Sequence, residues 1–433
     1  METAGRGGTL SVERPGDVAR RTKAEHILIT GANGYIGRRL VQIALSQSRA
    51  VTVLGRSNRS ASLNVVCSKW ELGADLPNSA LGEKRSALLH LAHDWTDRNQ
   101  DGINLRGSRL LLADARRAGV KRFVFVSSIS ARADALNAYG RIKWRIEQIL
   151  EGTDTVAARV GLVYGGPVGG MYRLLLKLVS LIPILPMVDP WRLVQPIHVD
   201  EVCHGLLALA DGEMTGRIGL AGPVPVTFAE FLKTLAREGC AASLTVFSVP
   251  LRLVLLGASI TSWLPHVPNI DRERVLGLAG IAPLDCKADL DTLGVSAAPA
   301  ELTLRQDPVG KKALLREGAV LCRYVLRRRA GGSLIRRYVR TIRALERNQA
   351  GPLGLPRLVL YCPSLLRLYE PLSSDSRLAS RLRIALALTE FSTEGFQAIN
   401  RFSVTIKSAD IFSILWQVAT DIIVFPLRLW LAR

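Results

Sequence analysis

From His26 onward, short uninterrupted apolar runs alternate with longer stretches whose apolar positions recur at helical spacing. That alternation is the pattern of βαβ units feeding a parallel sheet. The run His26-Ile-Leu-Ile-Thr30 predicts a first strand, followed by a glycine-punctuated turn and a helix over 35–47. Further strands are expected at Ala50–Leu54, near 64–67, at Ala87–Leu91 and at Arg122–Ser127, the continuous apolar character marking burial on both faces. Between the last two, residues 99–118 predict a helix with apolar Ile103, Leu105, Leu110, Leu111 and Leu112, ended by a glycine cap at Gly119. The fold class expected is α/β: a Rossmann-type, doubly wound parallel sheet with a small substrate-binding part.

The texture changes twice more. A Gly- and Pro-rich patch spans Gly165 to Pro196, and beyond about residue 300 the chain turns basic and helical. Residues 311–347 hold twelve Lys or Arg against two Glu, with Leu314, Leu321, Val325, Ile335, Tyr338, Ile342 and Leu345 recurring helically. Residues 411–433 are strongly apolar but contain Asp421, Pro426 and Arg428, which disfavours a membrane span. Three parts are expected: a flexible tail over 1–24, a dinucleotide-binding domain with its substrate lobe over 25–300 (the lobe mostly from 160), and a basic helical region over 301–433.

Composition narrows the class. With 433 residues, 48% apolar and 22% charged, the chain is neither disordered, collagenous nor a disulfide-stapled miniprotein. Six cysteines lie far apart with no Cys-x-x-Cys, so no metal site is expected and a reducing cytoplasm is the expected compartment. The net charge of +20 calls for anionic company. The 301–433 stretch carries 22 Lys or Arg against 10 Asp or Glu. Peripheral contact with an anionic membrane through 311–347 and 411–433 would suit it, with Leu, Tyr and Ile inserted and arginines at the headgroups. Nucleic acid is not expected, because no recognition fold or aromatic stacking platform is present. A homodimer would be another way to cover the apolar positions.

Candidate chemistry begins at Thr30-Gly31-Ala-Asn33-Gly34-Tyr35-Ile36-Gly37, a strand-to-helix glycine turn. Gly31 permits the tight turn, Gly34 lets the backbone approach a pyrophosphate, and Gly37 lets helix and strand pack closely, while the helix N-terminus offers N–H groups to the anion. At the end of the second strand, Gly55 and Arg56 stand where an acidic residue would select NAD. Arg56 can pair with a 2′-phosphate, helped by Arg38, so NADP is the expected cofactor and NAD the alternative.

After the fifth strand come Ser127 and Ser128, then Tyr139-Gly-Arg-Ile-Lys143. A tyrosine and a lysine four apart share one helix face, so the ammonium can lie near the phenol and lower its pKa from roughly 10. A phenolate there would act as general base at a substrate hydroxyl while hydride leaves the same carbon for a nicotinamide.

Over about residues 26–240 the chain resembles the extended branch of the short-chain dehydrogenase/reductase superfamily, the NAD-dependent epimerase/dehydratase-like proteins. The matches fall in family order: the glycine turn, His90-Leu91-Ala92-His93, Asn104, Val126–Ser128, Tyr139 to Lys143 with Glu147, Arg159–Gly165 and Ile197–Asp200. The resemblance implies that Ser128 holds the substrate oxygen, with Ser127 the alternative, that Tyr139 is the acid/base, and that Lys143 binds the nicotinamide ribose and tunes Tyr139. It implies that Leu91, Ala92 and Asp75 line the cofactor with Asn33, Tyr35 and Ile36, and that His198–Asp200 is structural. His90 reads as a hydrogen-bonded core residue.

Two departures bear on the reaction. Only eleven positions separate Ser128 from Tyr139, shorter than usual in sugar epimerases, which implies a more open site. Ile129 and Ser130 stand where sugar 4,6-dehydratases carry an Asp-Glu pair, which disfavours dehydration. The expectation is an NAD(P)-dependent oxidoreductase or epimerase acting on a hydroxyl or carbonyl of a small substrate, on family grounds a nucleotide sugar. The alternatives are a non-catalytic NADP(H)-binding assembly subunit and a membrane-surface redox sensor.

Overall fold

The computed structural model describes residues 24–56, 65–78, 86–250, 282–345, 351–368 and 377–391. The chain divides into two units, one of Met1–Gly161, Val199–Pro223 and Glu273–Ser296, the other of Leu162–His198, Val224–Arg272 and Ala297–Arg433. The 1–23 and 411–433 segments, for which a tail and a membrane contact are expected, lie outside the described residues.

In the first unit the apolar runs become β1 (His26–Thr30), β2 (Ala50–Gly55), β3 (Val65–Lys69), β4 (Ser86–His90), β5 (Arg122–Ser128) and β6 (Thr155–Val160). With Gly216–Leu220 they make a seven-stranded sheet ordered β3-β2-β1-β4-β5-β6 and then that last strand, every neighbour parallel. Every residue of β1 and β4 is buried, as their unbroken apolar runs require when helices cover both faces. The crossovers include α1 (Tyr35–Ser46), α2 (Ile103–Arg117) and α3 (Ala138–Glu147). Leaving β1 the chain steps outward to β2 and β3, then returns to β4 on the other side of β1. Strand order reverses between β1 and β4, and a crevice at the carboxyl ends of the strands follows.

One face of the sheet presents Leu28, Leu88, Phe123, Phe125 and Ala157 to Leu105, Leu111, Leu112, Ile142 and Ile146 of α2 and α3, a continuous buried cluster. The helix expected from residue 99 begins at 103. Asp97 and Asn99 accept from the backbone N–H groups of Asn99 and Asp101, and such side-chain bonds compete with helix formation. Gly119 has φ +73° and donates to the Arg116 carbonyl, the left-handed stop expected there.

The two serines at the end of β5 separate by strand alternation. Ser127 donates to Oε1 of buried Glu147 at 2.6 Å, and Arg159, its register partner on β6, pairs with Oε2 of the same carboxylate at 2.6 Å. Arg217 adds a third partner at 3.1 Å. Ser127 therefore belongs to a buried charge network, whereas the Ser128 hydroxyl bonds Ser130 in the turn that follows.

In the second unit the basic region forms helices at Ala300–Gln306, Pro308–Leu326, Gly332–Leu345, Arg357–Tyr361 and Arg377–Glu390. Leu314, Leu321, Tyr338 and Ile342, expected to insert into lipid, are instead buried in a cluster with Leu326, Leu355 and Ala385. The correction has a polar reason as well as an apolar one. Tyr338 donates to buried Glu317 at 2.7 Å, and Arg381 pairs with the same oxygen at 3.2 Å, so the stripe that looked amphipathic is an interior face built around an ion pair. No helix among the described residues is long and apolar enough to cross a membrane.

Candidate active site

The turn after β1 depends on Gly31. Its φ is +68°, and a Cβ added there would stand 2.8 Å from the Ala92 nitrogen and the Leu91 carbonyl carbon. Any side chain would drive β1 and the loop after β4 apart. A Cβ on Gly37 would stand 2.3 Å from the Gly31 carbonyl oxygen, so the first turn of α1 sits directly on the loop. No side chain caps α1, its first turn holds no acidic residue, and Asn33 and Gly34 at the crest are exposed, with Tyr35 and Ile36 half-buried. An uncapped N-terminus behind a glycine turn suits a diphosphate. Arg56 and Arg38 are both exposed, and neither side chain bonds a described residue. Asp75 lies exposed in the loop after β3, and its carboxylate bonds no partner among the described residues.

Register places Thr30 opposite His90. Ser108 donates to the Asn104 carbonyl at 2.7 Å, so it accepts from His90 Nε2 at 3.0 Å. His90 Nδ1 then accepts from the Thr30 hydroxyl at 2.8 Å, which frees that oxygen to accept the Leu91 and Ala92 N–H groups, each at 3.1 Å. Burial first, then the Lys143 charge, pull His90 down to about 3, consistent with a neutral ring. The expectation of a hydrogen-bonded core histidine is met, while the hub role of Thr30 has no signal in the sequence.

Beyond Leu91 and Ala92, both half-buried, the loop is held by buried Asn104. Its Oδ1 accepts from Asp94 N at 2.8 Å and its Nδ2 donates to Asp94 O at 2.9 Å. This two-bond clamp fixes the residues on either side, His93 and Trp95.

α3 is placed as tightly. Asn137 caps it by accepting from Gly140 N at 3.1 Å, and a Cβ on Gly140 would stand 2.4 Å from the Ser130 carbonyl oxygen, so the helix starts against the turn that follows β5. Ser128 Oγ accepts from Ser130 N at 3.1 Å and lies 2.9 Å from Ser130 Oγ. Tyr139 and Lys143 share a face as their spacing predicts: the Lys143 Nζ is 5.7 Å from the Tyr139 ring centroid and 4.5 Å from that of Phe125. Lys143 is buried and donates to the Val126 carbonyl at 2.8 Å.

The electrostatics run against expectation. Burial pushes the Tyr139 phenol up to about 12 rather than below its ordinary 10. Burial also draws Lys143 down to about 7, opposed by the Glu147 charge, so near neutral pH much of the field that was to acidify the phenol is gone. His93 falls to about 3 through burial and then Lys143. Its ring meets Tyr139 edge-on at 5.0 Å, and Trp95 stacks on Tyr139 at 5.0 Å with planes 12° apart. Trp95, Asn137 and Gly140 went unsingled in the sequence; only Gly140, a glycine inside a helical pattern, leaves a trace there.

Residues 27–167 match the family model of the NAD dependent epimerase/dehydratase family. Among curated proteins the chain is similar to a ceramide reductase of Caulobacter vibrioides, 29% identical over 45% of this chain and 64% of that one. It is also similar to a 4-hydroxy-2-methyl-3-oxo-4-farnesyl-3,4-dihydroquinoline-1-oxide ketoreductase of Stigmatella aurantiaca, 26% identical over 58% of this chain and 84% of that one. Among solved structures, gox2253 shares the fold at TM-score 0.51 and 19% identity, over 66% of this chain and 98% of its own.

The neutral His90 has a measurable consequence. Its folded pKa of about 3 lies below its ordinary 6.5, so between those values the unfolded chain binds a proton that the folded one does not. Stability is therefore lost as pH falls through that window. Denaturant unfolding is expected to show about 2 kcal/mol less stability at pH 5 than at pH 7 from this residue.

Proposed function

We propose that this chain, which through residues 27–167 belongs to the NAD-dependent epimerase/dehydratase family, is an NADP(H)-linked oxidoreductase that reduces a carbonyl to a hydroxyl, with Tyr139 as its proton donor. The observation that carries the reading is the pairing within one unit of a half-buried tyrosine with a buried lysine one helical turn on, on a helix that starts against the turn in which the Ser128 hydroxyl is held.

A bound nicotinamide supplies the hydride at the carbonyl carbon. Ser128 holds the substrate oxygen, and Tyr139 gives it the phenolic proton as the C=O π pair becomes the O–H bond. With its pKa up to about 12 the phenol rests protonated, which suits an acid in the reducing direction better than a base in the oxidising one. Lys143, drawn down to about 7, can return a proton to the phenolate, so the cycle consumes one carbonyl, one hydride and one proton. The ring of Asn104, Ser108 and His90 contacts keeps the Gly31 turn and the β4 loop in register for the cofactor.

Two relatives named as reductases, one for ceramide and one for a farnesylated quinoline, support a large apolar substrate. A nucleotide sugar, implied by the family resemblance, is the competing class. NADP is favoured over NAD because β2 ends at Gly55 and is followed by Arg56 rather than by a carboxylate.

A peripheral-membrane reading has its own support. Arg336, Arg337 and Arg340 lie exposed on the helix Gly332–Leu345, with Arg343 half-exposed, and none pairs with a carboxylate among the described residues. With the apolar stripe buried, the attraction to an anionic bilayer is electrostatic.

Four measurements test these statements. Tyr139→Phe should lower kcat by at least about a hundredfold while NADPH still binds; unchanged turnover removes the acid role. Unaltered NADPH consumption across carbonyls and sugar nucleotides would favour the assembly-subunit alternative. Arg56→Ala should weaken NADPH about tenfold or more and NADH within about twofold, since only the former loses a charge-assisted contact. Sedimentation with phosphatidylserine vesicles should be lost on reversing Arg336, Arg337 and Arg340 to Glu, or on raising the salt.

A further inference from the structure

Trp95 is 70% exposed although one face of its indole is stacked on Tyr139. A large aromatic ring is held in water here by deliberate local construction. The Asn104 clamp fixes residue 94, Asp94 accepts from both Thr96 N and Thr96 Oγ1, and Asp97 accepts from Asn104 N at the start of α2. His93 completes the cluster, 4.9 Å from the Trp95 ring, and its Nδ1 is buried with no hydrogen-bond partner among the described residues. A buried ring nitrogen left without a partner and an indole face left in solvent are both costs that a ligand can relieve.

We propose that Trp95 is a specificity-determining residue that forms, with Tyr139, an aromatic wall for the apolar body of the carbonyl substrate, while His93 Nδ1 supplies a polar contact beside the reacting oxygen. This rests on the reading of Tyr139 as the proton donor and adds the substrate class. The stacked pair offers an indole face and edges for an extended hydrocarbon or a fused ring, and burying them recovers the area now spent on water. Because His93 stays neutral, it offers a hydrogen bond and not a charge, which fits an uncharged apolar molecule. The same stack covers one face of the Tyr139 ring.

The test compares wild type, Trp95→Ala and Trp95→Phe, all loaded with NADP+, in titrations with a twelve-carbon and a four-carbon methyl ketone followed by calorimetry. Wild type should bind the longer ketone at least about tenfold more tightly. Trp95→Ala should lose most of that preference without weakening NADP+, and Trp95→Phe should restore it. A wild type that does not prefer the longer ketone, or a Trp95→Ala variant that keeps the preference, overturns the proposal. In parallel, Trp95→Ala should move the alkaline limb of the pH–rate profile down from about 12 towards 10, because the phenol gains water. Tyr139→Phe separates the two levels: retained turnover defeats the catalytic reading, whereas an inactive Tyr139→Phe beside an unaltered chain-length preference in Trp95→Ala defeats only the wall.

Discussion

The contact on which the first unit turns is the hydrogen bond between the Thr30 hydroxyl and a neutral His90. It joins the ends of the two strands between which the sheet reverses direction, the one place where a parallel sheet leaves its carboxyl edge open. Because the imidazole accepts, the hydroxyl can take two backbone N–H groups from the next loop, and that loop passes so near Gly31 that no side chain fits between them. A charged ring would donate to the hydroxyl, occupy one of its two lone pairs and leave one of the two loop N–H groups without an acceptor. The glycine turn and the β4 loop thus hold their separation through one protonation state.

Desolvation then sets the chemistry. Withdrawal from water raises the phenol of Tyr139 and lowers the ammonium of Lys143 and the rings of His90 and His93, each change disfavouring charge. The result is a neutral phenol and neutral rings beside a lysine that holds only part of its charge near neutral pH. That set is poorly suited to pulling a proton from an alcohol at rest and well suited to giving one to an oxygen that is gaining charge. Glu147 is the counterweight: held by Ser127, Arg159 and Arg217 one turn beyond Lys143, its charge opposes the loss of that cation.

In the second unit, arginine plays two roles that composition alone cannot separate. Arg381 is 1% exposed and bound to Glu317 in the interior, while Arg336, Arg337 and Arg340 look outward with no acidic partner among the described residues. The count of positive charge was legible from the chain; which charges are cancelled inside and which remain to attract an anion was not.

The elements whose signals are local could be read directly. The strands from β1 to β5, the Gly31–Gly37 turn, the Gly119 cap and the shared face of Tyr139 and Lys143 follow from side-chain period and backbone dihedrals, which act over a few residues. Whatever depends on partners distant in the chain had to wait for the fold. Strand pairing put Ser127 beside Arg159 in the Glu147 network, a clamp from α2 set Trp95 on Tyr139, and the interior of the helical bundle claimed Tyr338 and Ile342. The direction of the Tyr139 shift belongs to that second group for the plainest reason: spacing determines which charges can be neighbours, but only tertiary burial decides how much water is left between them.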